Sequence, residues 1–185
     1  PKHKVSLIIK ACVQDSEIIY QAVKHITKQI ASPNIFDEKI IALDNRESNF
    51  LREFNNHNTW NDLITEVTKL KKEGIIDDYI IPNSESALQI NEKYFGLKSS
   101  ASHTYKGVPV ASQLYAFENA NNDYILQLDC DAIIGRLDKK HSFLEDMISE
   151  IETNKNVVSV GFNIYKGKTT DFTPYFGFEN GGFVP

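Results

Sequence analysis

The chain has 185 residues, a mass of 21.0 kDa and a formal charge of −5, from 20 basic and 25 acidic residues. That length corresponds to about one domain with room for a sizeable core, and the acidic balance argues against a nucleic-acid binder, which needs an excess of Lys and Arg against phosphate. No apolar run approaches the ~20 residues of a membrane-spanning helix, and only five apolar-leaning residues separate Lys4 from Lys10, too few for a signal peptide. A chain beginning at Pro1 is expected to have lost its initiator Met or to come from something longer. Two cysteines, Cys12 and Cys130, make no disulfide framework and suggest a reducing compartment.

The pattern along the chain is one of alternating strands and helices. Val5-Ser6-Leu7-Ile8-Ile9 is a β-branched run of strand length. Asp15-Ser16 offers an N-cap to a helix carrying Ile18, Ile19, Ala22, Val23, Ile26 and Ile30 at helical spacing, ended by Ser32-Pro33-Asn34. Lys39-Ile40-Ile41-Ala42-Leu43 predicts a second strand ending at Asp44. A polar helical region over 47–72, broken near 55–58, stops at Gly74 with Trp60 expected in the core. A short third strand is expected over 78–82 and a helix over 86–94 ending at Gly96. Residues 98–106 have loop composition. A helix over 110–121 has Ala111, Leu114, Tyr115 and Phe117 as candidate buried positions. Tyr124-Ile125-Leu126-Gln127-Leu128 predicts a fourth strand, closed by Asp129-Cys130-Asp131. An amphipathic helix over 142–153 and a fifth strand over 157–162 complete the reading, and the last twenty residues show no period. Nothing marks a linker or a repeat, so one domain is expected over 1–185.

Near-continuous apolar strands alternating with helices imply an α/β, mostly parallel sheet with helices on both faces. Ligands of such sheets bind outside the carboxyl ends of the strands, where strand order switches. The residues to weigh are therefore Lys10 to Asp15, Asp44-Asn45 and Asp129 to Asp131. Two carboxylates one residue apart after a strand are hard oxygen donors suited to Mg²⁺ or Mn²⁺ shared with substrate phosphates; alone, D-x-D is a weak signal.

The first-strand run, the segment Ile40-Ile41-Ala42-Leu43-Asp44-Asn45, and residues 107–131, GVPVASQLYAFENANNDYILQLDCD, together resemble family 2 glycosyltransferases of the Rossmann-like GT-A fold over about residues 5–165. The resemblance implies metal-assisted transfer of a sugar, with inversion, from a nucleotide diphosphate sugar to an acceptor hydroxyl on a glycan, lipid or protein. It implies that Lys10, Ala11, Cys12, Asp44, Asn45, Gln113 and Cys130 line the donor site, that Asp129 sits near the ribose or metal, and that Asp131 binds Mg²⁺ or Mn²⁺ at the diphosphate. An inverting reaction also needs a carboxylate base; Glu179, beside Gly181-Gly182, and Asp171 are the late candidates.

The chain departs from that family at several points. Lys10-Ala11-Cys12-Val13 stands where the family has Pro-Thr-Tyr-Asn, and Arg46-Glu47 follows the second-strand acid in place of Gly-Ser. Ser112-Gln113 replaces Arg-Asn, which removes a phosphate-facing cation unless Lys98, Lys106 or Arg136 substitutes. Ala132 stands where many relatives add a further acid. The alternatives are a nucleotide-sugar-binding module without catalysis, or a nucleotidyltransferase of similar fold; the absence of Gly and Arg from residues 11–16 counts against the latter. His103, in the polar loop near the expected pocket, is the one histidine singled out for test. The expected location is cytoplasmic, with attachment to the inner membrane face as the alternative.

Overall fold

The computed structural model describes residues 3–45, 57–136 and 138–162. These group into two compact units, one drawn from within residues 1–31 and 35–137, the other from within 32–34 and 138–185. The first unit is built on strands β1 (Val5–Cys12), β2 (Glu38–Asp44), β3 (Asp78–Ile80) and β4 (Tyr124–Asp129) and helices α1 (Ile19–Ile30), α2 (Trp60–Lys72), α3 (Ser84–Phe95) and α4 (Ala111–Asn119). All strand pairings are parallel, in the order β3-β2-β1-β4. The fold is a Rossmann-like α/β sheet. The chain steps outward from β1 to β2 to β3, then crosses back to place β4 on the other side of β1. The switch in strand order thus lies between the carboxyl ends of β1 and β4.

The sheet forms because its strands are apolar on both faces. Val5 to Ile9 are all buried. Ile8 and Ala42 pack with Ala116 of α4, flanked by Ile80, Phe117, Ala120 and Ile125. The alternate set, Leu7, Ile9, Ile41 and Leu43, points the other way and is buried too, so both faces are covered. α1 buries Ile19, Val23, Ile26 and Ile30, four of the six expected at helical spacing, and leaves Ile18 exposed and Ala22 half-buried. α2 is capped by Thr59, whose hydroxyl accepts from the Asp62 amide at 3.3 Å, and ends at Gly74 in the left-handed region. Gly96 ends α3 in the same way, with φ of 64°.

Four expectations differ in detail. Asp15 does not cap α1, which has no side-chain cap; it caps the short 3-10 turn Val13–Asp15 instead. Trp60 is only half-buried, because it stands at the first position of α2 and the helix faces inward through Leu63, Val67 and Leu70. On α4, Leu114, Tyr115 and Phe117 are half-buried, while Ala111, Ser112 and Ala116 are buried: small side chains let the helix approach the sheet closely. Residues 157–162 are not a strand. Val158 is exposed and the Val157 amide closes a turn onto the Asn154 carbonyl; a β-branched run forms a strand only where a partner and a covered face exist.

The second unit contains α5 (Phe143–Thr153). Asn34 holds its start: Asn34 Oδ1 accepts from the Ser142 hydroxyl at 3.0 Å and from the Leu144 amide at 3.2 Å. Phe143 meets Phe162 edge-to-face.

Candidate functional site

The carboxyl edge of the sheet gathers Lys10, Ala11 and Cys12 from β1, Asp44 from β2 with Asn45 just after it, and Asp129 from β4 with Cys130 and Asp131 just after it. The parallel register sets them side by side: Lys10 is opposite Asp129, and Cys12 is opposite Asp44. Lys10 Nζ lies 3.0 Å from Asp129 Oδ1 and donates to Gln113 Oε1 at 3.3 Å. Gln113 in turn donates to Gln127 Oε1 at 3.2 Å. The ammonium therefore links β1, β4 and the first turn of α4. Asp129, 60% exposed, remains open to solvent, as does Asp131.

Asp44 and His103 form the second feature. His103 Nε2 donates to Asp44 Oδ2 at 2.7 Å, and the Ser102 hydroxyl meets His103 Nδ1 at 2.8 Å. A carboxylate only accepts, so Nε2 carries the hydrogen, and in the neutral ring Nδ1 accepts from Ser102. Asp44 and His103 side chains are only 8% and 13% exposed.

The two thiols share Asp15. The Cys12 amide and thiol both donate to Asp15 Oδ2, at 2.8 and 3.3 Å, and the same carboxylate's charge acts on the buried Cys130 thiol. Burial, reinforced by the Asp15 charge, pushes the Cys12 thiol up to about 12 and the Cys130 thiol well above its ordinary range. Both thus stay protonated near neutral pH and neither is a nucleophile. They are free thiols. Ala11 and Cys130 are buried, so their contribution to a ligand site is through backbone and shape.

Of the cations considered for phosphate, Arg136 is engaged with α1. Arg136 donates to the Gln29 and Ala31 carbonyls, satisfying the end of α1. Lys106 stands over the Tyr105 ring, and Lys98 is exposed. Among the described residues Lys10 is the cation placed at the edge by a strand. Its signal in the sequence was a lysine ending an otherwise apolar strand; the partner Asp129 is visible only through the register. Glu179 and Asp171 lie outside the described residues.

Among the described residues no three His, Cys, Asp or Glu side chains converge into a group able to hold a metal. The donor set at the end of β4, two exposed carboxylates, fits a divalent cation that completes its shell with ligand phosphates and water rather than one held in a protein cage. No family model, curated protein or solved structure matches the chain.

Proposed function

We propose that the chain binds a nucleotide diphosphate sugar at the carboxyl edge of its sheet and belongs to an enzyme that transfers the sugar to an acceptor hydroxyl. One observation carries this reading: the Asp129–Asp131 carboxylate pair ends β4 directly beside β1, at the switch in strand order, with Asp44 ending the next strand along. The resemblance of the same three segments to family 2 glycosyltransferases points the same way, and fold alone would not suffice.

The residues divide the work by chemistry. Asp44 offers a carboxylate to a nucleobase N–H or a ribose hydroxyl. Asp129, held by Lys10, accepts from the ribose, while the ammonium offsets phosphate charge. Asp131, with Asp129, would hold Mg²⁺ or Mn²⁺, which when bound supplies positive charge for the departing diphosphate. Inversion needs a base to take the acceptor proton, for which Glu179 and Asp171 are the candidates. Two free thiols fit a reducing compartment such as the cytoplasm. Among the described residues no helix is long and apolar enough to cross a membrane.

Calorimetric titration with UDP, GDP and their sugar conjugates, with and without Mn²⁺, tests the reading. Binding that weakens in Asp131→Asn, with hydrolysis of one conjugate, is expected. Binding without any hydrolysis or transfer reduces the reading to a binding module, and no binding removes it.

A further inference from the structure

Asp44 stands where a ligand of a parallel sheet would meet β2, yet its carboxylate is almost wholly covered. The residue seated on it, His103, comes from the segment between α3 and α4. That segment is ordered by its own hydrogen bonds. Asn91 Nδ2 donates to the Ser99 and Ala101 carbonyls at 2.7 and 2.8 Å, tying its first half to α3. The Ser102 carbonyl accepts from the Val110 and Ala111 amides, tying its second half to the start of α4. Between these anchors residues 103–109 fold into a tight turn. His103 and Pro109 form an antiparallel bridge, the Thr104 amide donates to the Val108 carbonyl at 2.9 Å, and Gly107 adopts φ of 79°. Gly96, at φ of 64°, stands before the segment. Both glycines occupy a backbone region that other residues avoid. The result is a preformed flap, anchored to two helices at its base and joined to the sheet through His103 and Asp44.

We propose that the flap of residues 98–110 is a lid latched shut by the His103–Asp44 hydrogen bond, and that a ligand opens it by giving Asp44 a hydrogen-bond donor of its own in exchange for the imidazole. The ligand class follows from the acceptor. An ionised carboxylate only accepts, so the displacing group carries an N–H or O–H, as a nucleobase imide edge or a ribose diol does. This rests on the nucleotide reading above for the identity of the ligand, and on the geometry alone for the latch. Ser102 sets the strength of the latch, since a hydroxyl donating to Nδ1 keeps the hydrogen on Nε2, where Asp44 needs it. A latched carboxylate must be uncovered before it binds, so the latch lowers the apparent affinity.

The test uses the whole chain with two variants. His103→Ala removes the latch, and His103→Gln keeps an N–H donor in its place. Hydrogen exchange of the ligand-free proteins reads the latch directly. Faster exchange at the Thr104, Gly107 and Val108 amides is expected in His103→Ala, with protection returning in His103→Gln. Titration with UDP and GDP reads the exchange of partners. His103→Ala is expected to bind about ten-fold more tightly than the parent, the size of one net hydrogen bond to a charged group. Equal protection of the flap in the parent and His103→Ala overturns the latch. So does weaker binding by His103→Ala, which would make His103 part of the binding surface. A flap that loosens in His103→Ala while neither protein binds a nucleotide upholds the latch and defeats the nucleotide reading.

Discussion

Lys10 and Asp129 are register partners across the β1–β4 pair, and their side chains meet at 3.0 Å at the carboxyl edge of the sheet. The pair is partly exposed, so its worth to stability is small, about 0–1 kcal/mol. Its charge placement matters more. Lys10→Met keeps the aliphatic stem and removes the ammonium. Thermal unfolding is expected to move by a few degrees at most, while affinity for a nucleotide diphosphate falls about ten-fold, a change that calorimetry measures. An unchanged affinity would remove Lys10 from the site.

At the opposite end of the sheet, Glu38 is a buried carboxylate satisfied by neutral donors. It accepts from the Ser6 hydroxyl at 2.6 Å, from the Asn121 amide at 3.0 Å and from the Asn121 side chain. Glu38→Ala strands these donors and should cost about 3 kcal/mol, read by urea unfolding. Glu38→Gln, which keeps one acceptor, should cost less. Since this cluster is remote from the carboxyl edge, nucleotide affinity should hold in both variants.

The contact of α4 with the sheet depends on small residues. Ala116 is fully buried against Ile8 and Ala42. Ala116→Leu pushes the helix outward and should destabilise by about 1–3 kcal/mol. Ile41→Ala, which instead leaves a cavity in the sheet centre, should cost about 2–5 kcal/mol. Denaturant midpoints check both.

The thiols carry a pH signature. Burial first, then Asp15, raises Cys12 to about 12, and Cys130 moves in the same direction. The folded state holds these protons more tightly than the unfolded chain. The resulting stabilisation is fully present below the ordinary thiol value of 9.0 and is lost as pH rises through the folded values. Stability should therefore fall from pH 9 upward, and alkylation by iodoacetamide at pH 8 should be slow. Asp15→Asn removes the charge while keeping an amide oxygen and should quicken alkylation; equal rates in parent and variant would show that the Asp15 charge does not set the thiols.

Much of this fold is written locally. Val5 to Ile9 and Ile40 to Leu43 are apolar on both faces, which identifies strands buried in a parallel sheet. Gly74 and Gly96 mark helix ends because the turn needs a left-handed residue. What escaped is tertiary. Whether residues 157–162 find a strand partner, or whether α4 turns Ala116 or Phe117 inward, depends on elements far away in sequence. At the edge, Asp44, Asp129 and Asp131 follow from strand ends, and His103 from loop composition. The pairings of Lys10 with Asp129 and of His103 with Asp44 arise from register and loop closure, which no local pattern encodes.

Binding of a nucleotide diphosphate at the carboxyl edge of β1, β2 and β4 is the proposal from which the roles of Lys10, Asp44, Asp129 and Asp131 follow. The most direct measurement is calorimetric titration of the parent protein and of Asp131→Asn with UDP and GDP in the presence of Mn²⁺. Saturable binding of one nucleotide by the parent, weakened at least ten-fold in Asp131→Asn while the variant keeps its thermal midpoint, is the expected result. Equal binding by the two proteins, or no binding by a folded parent, contradicts the claim.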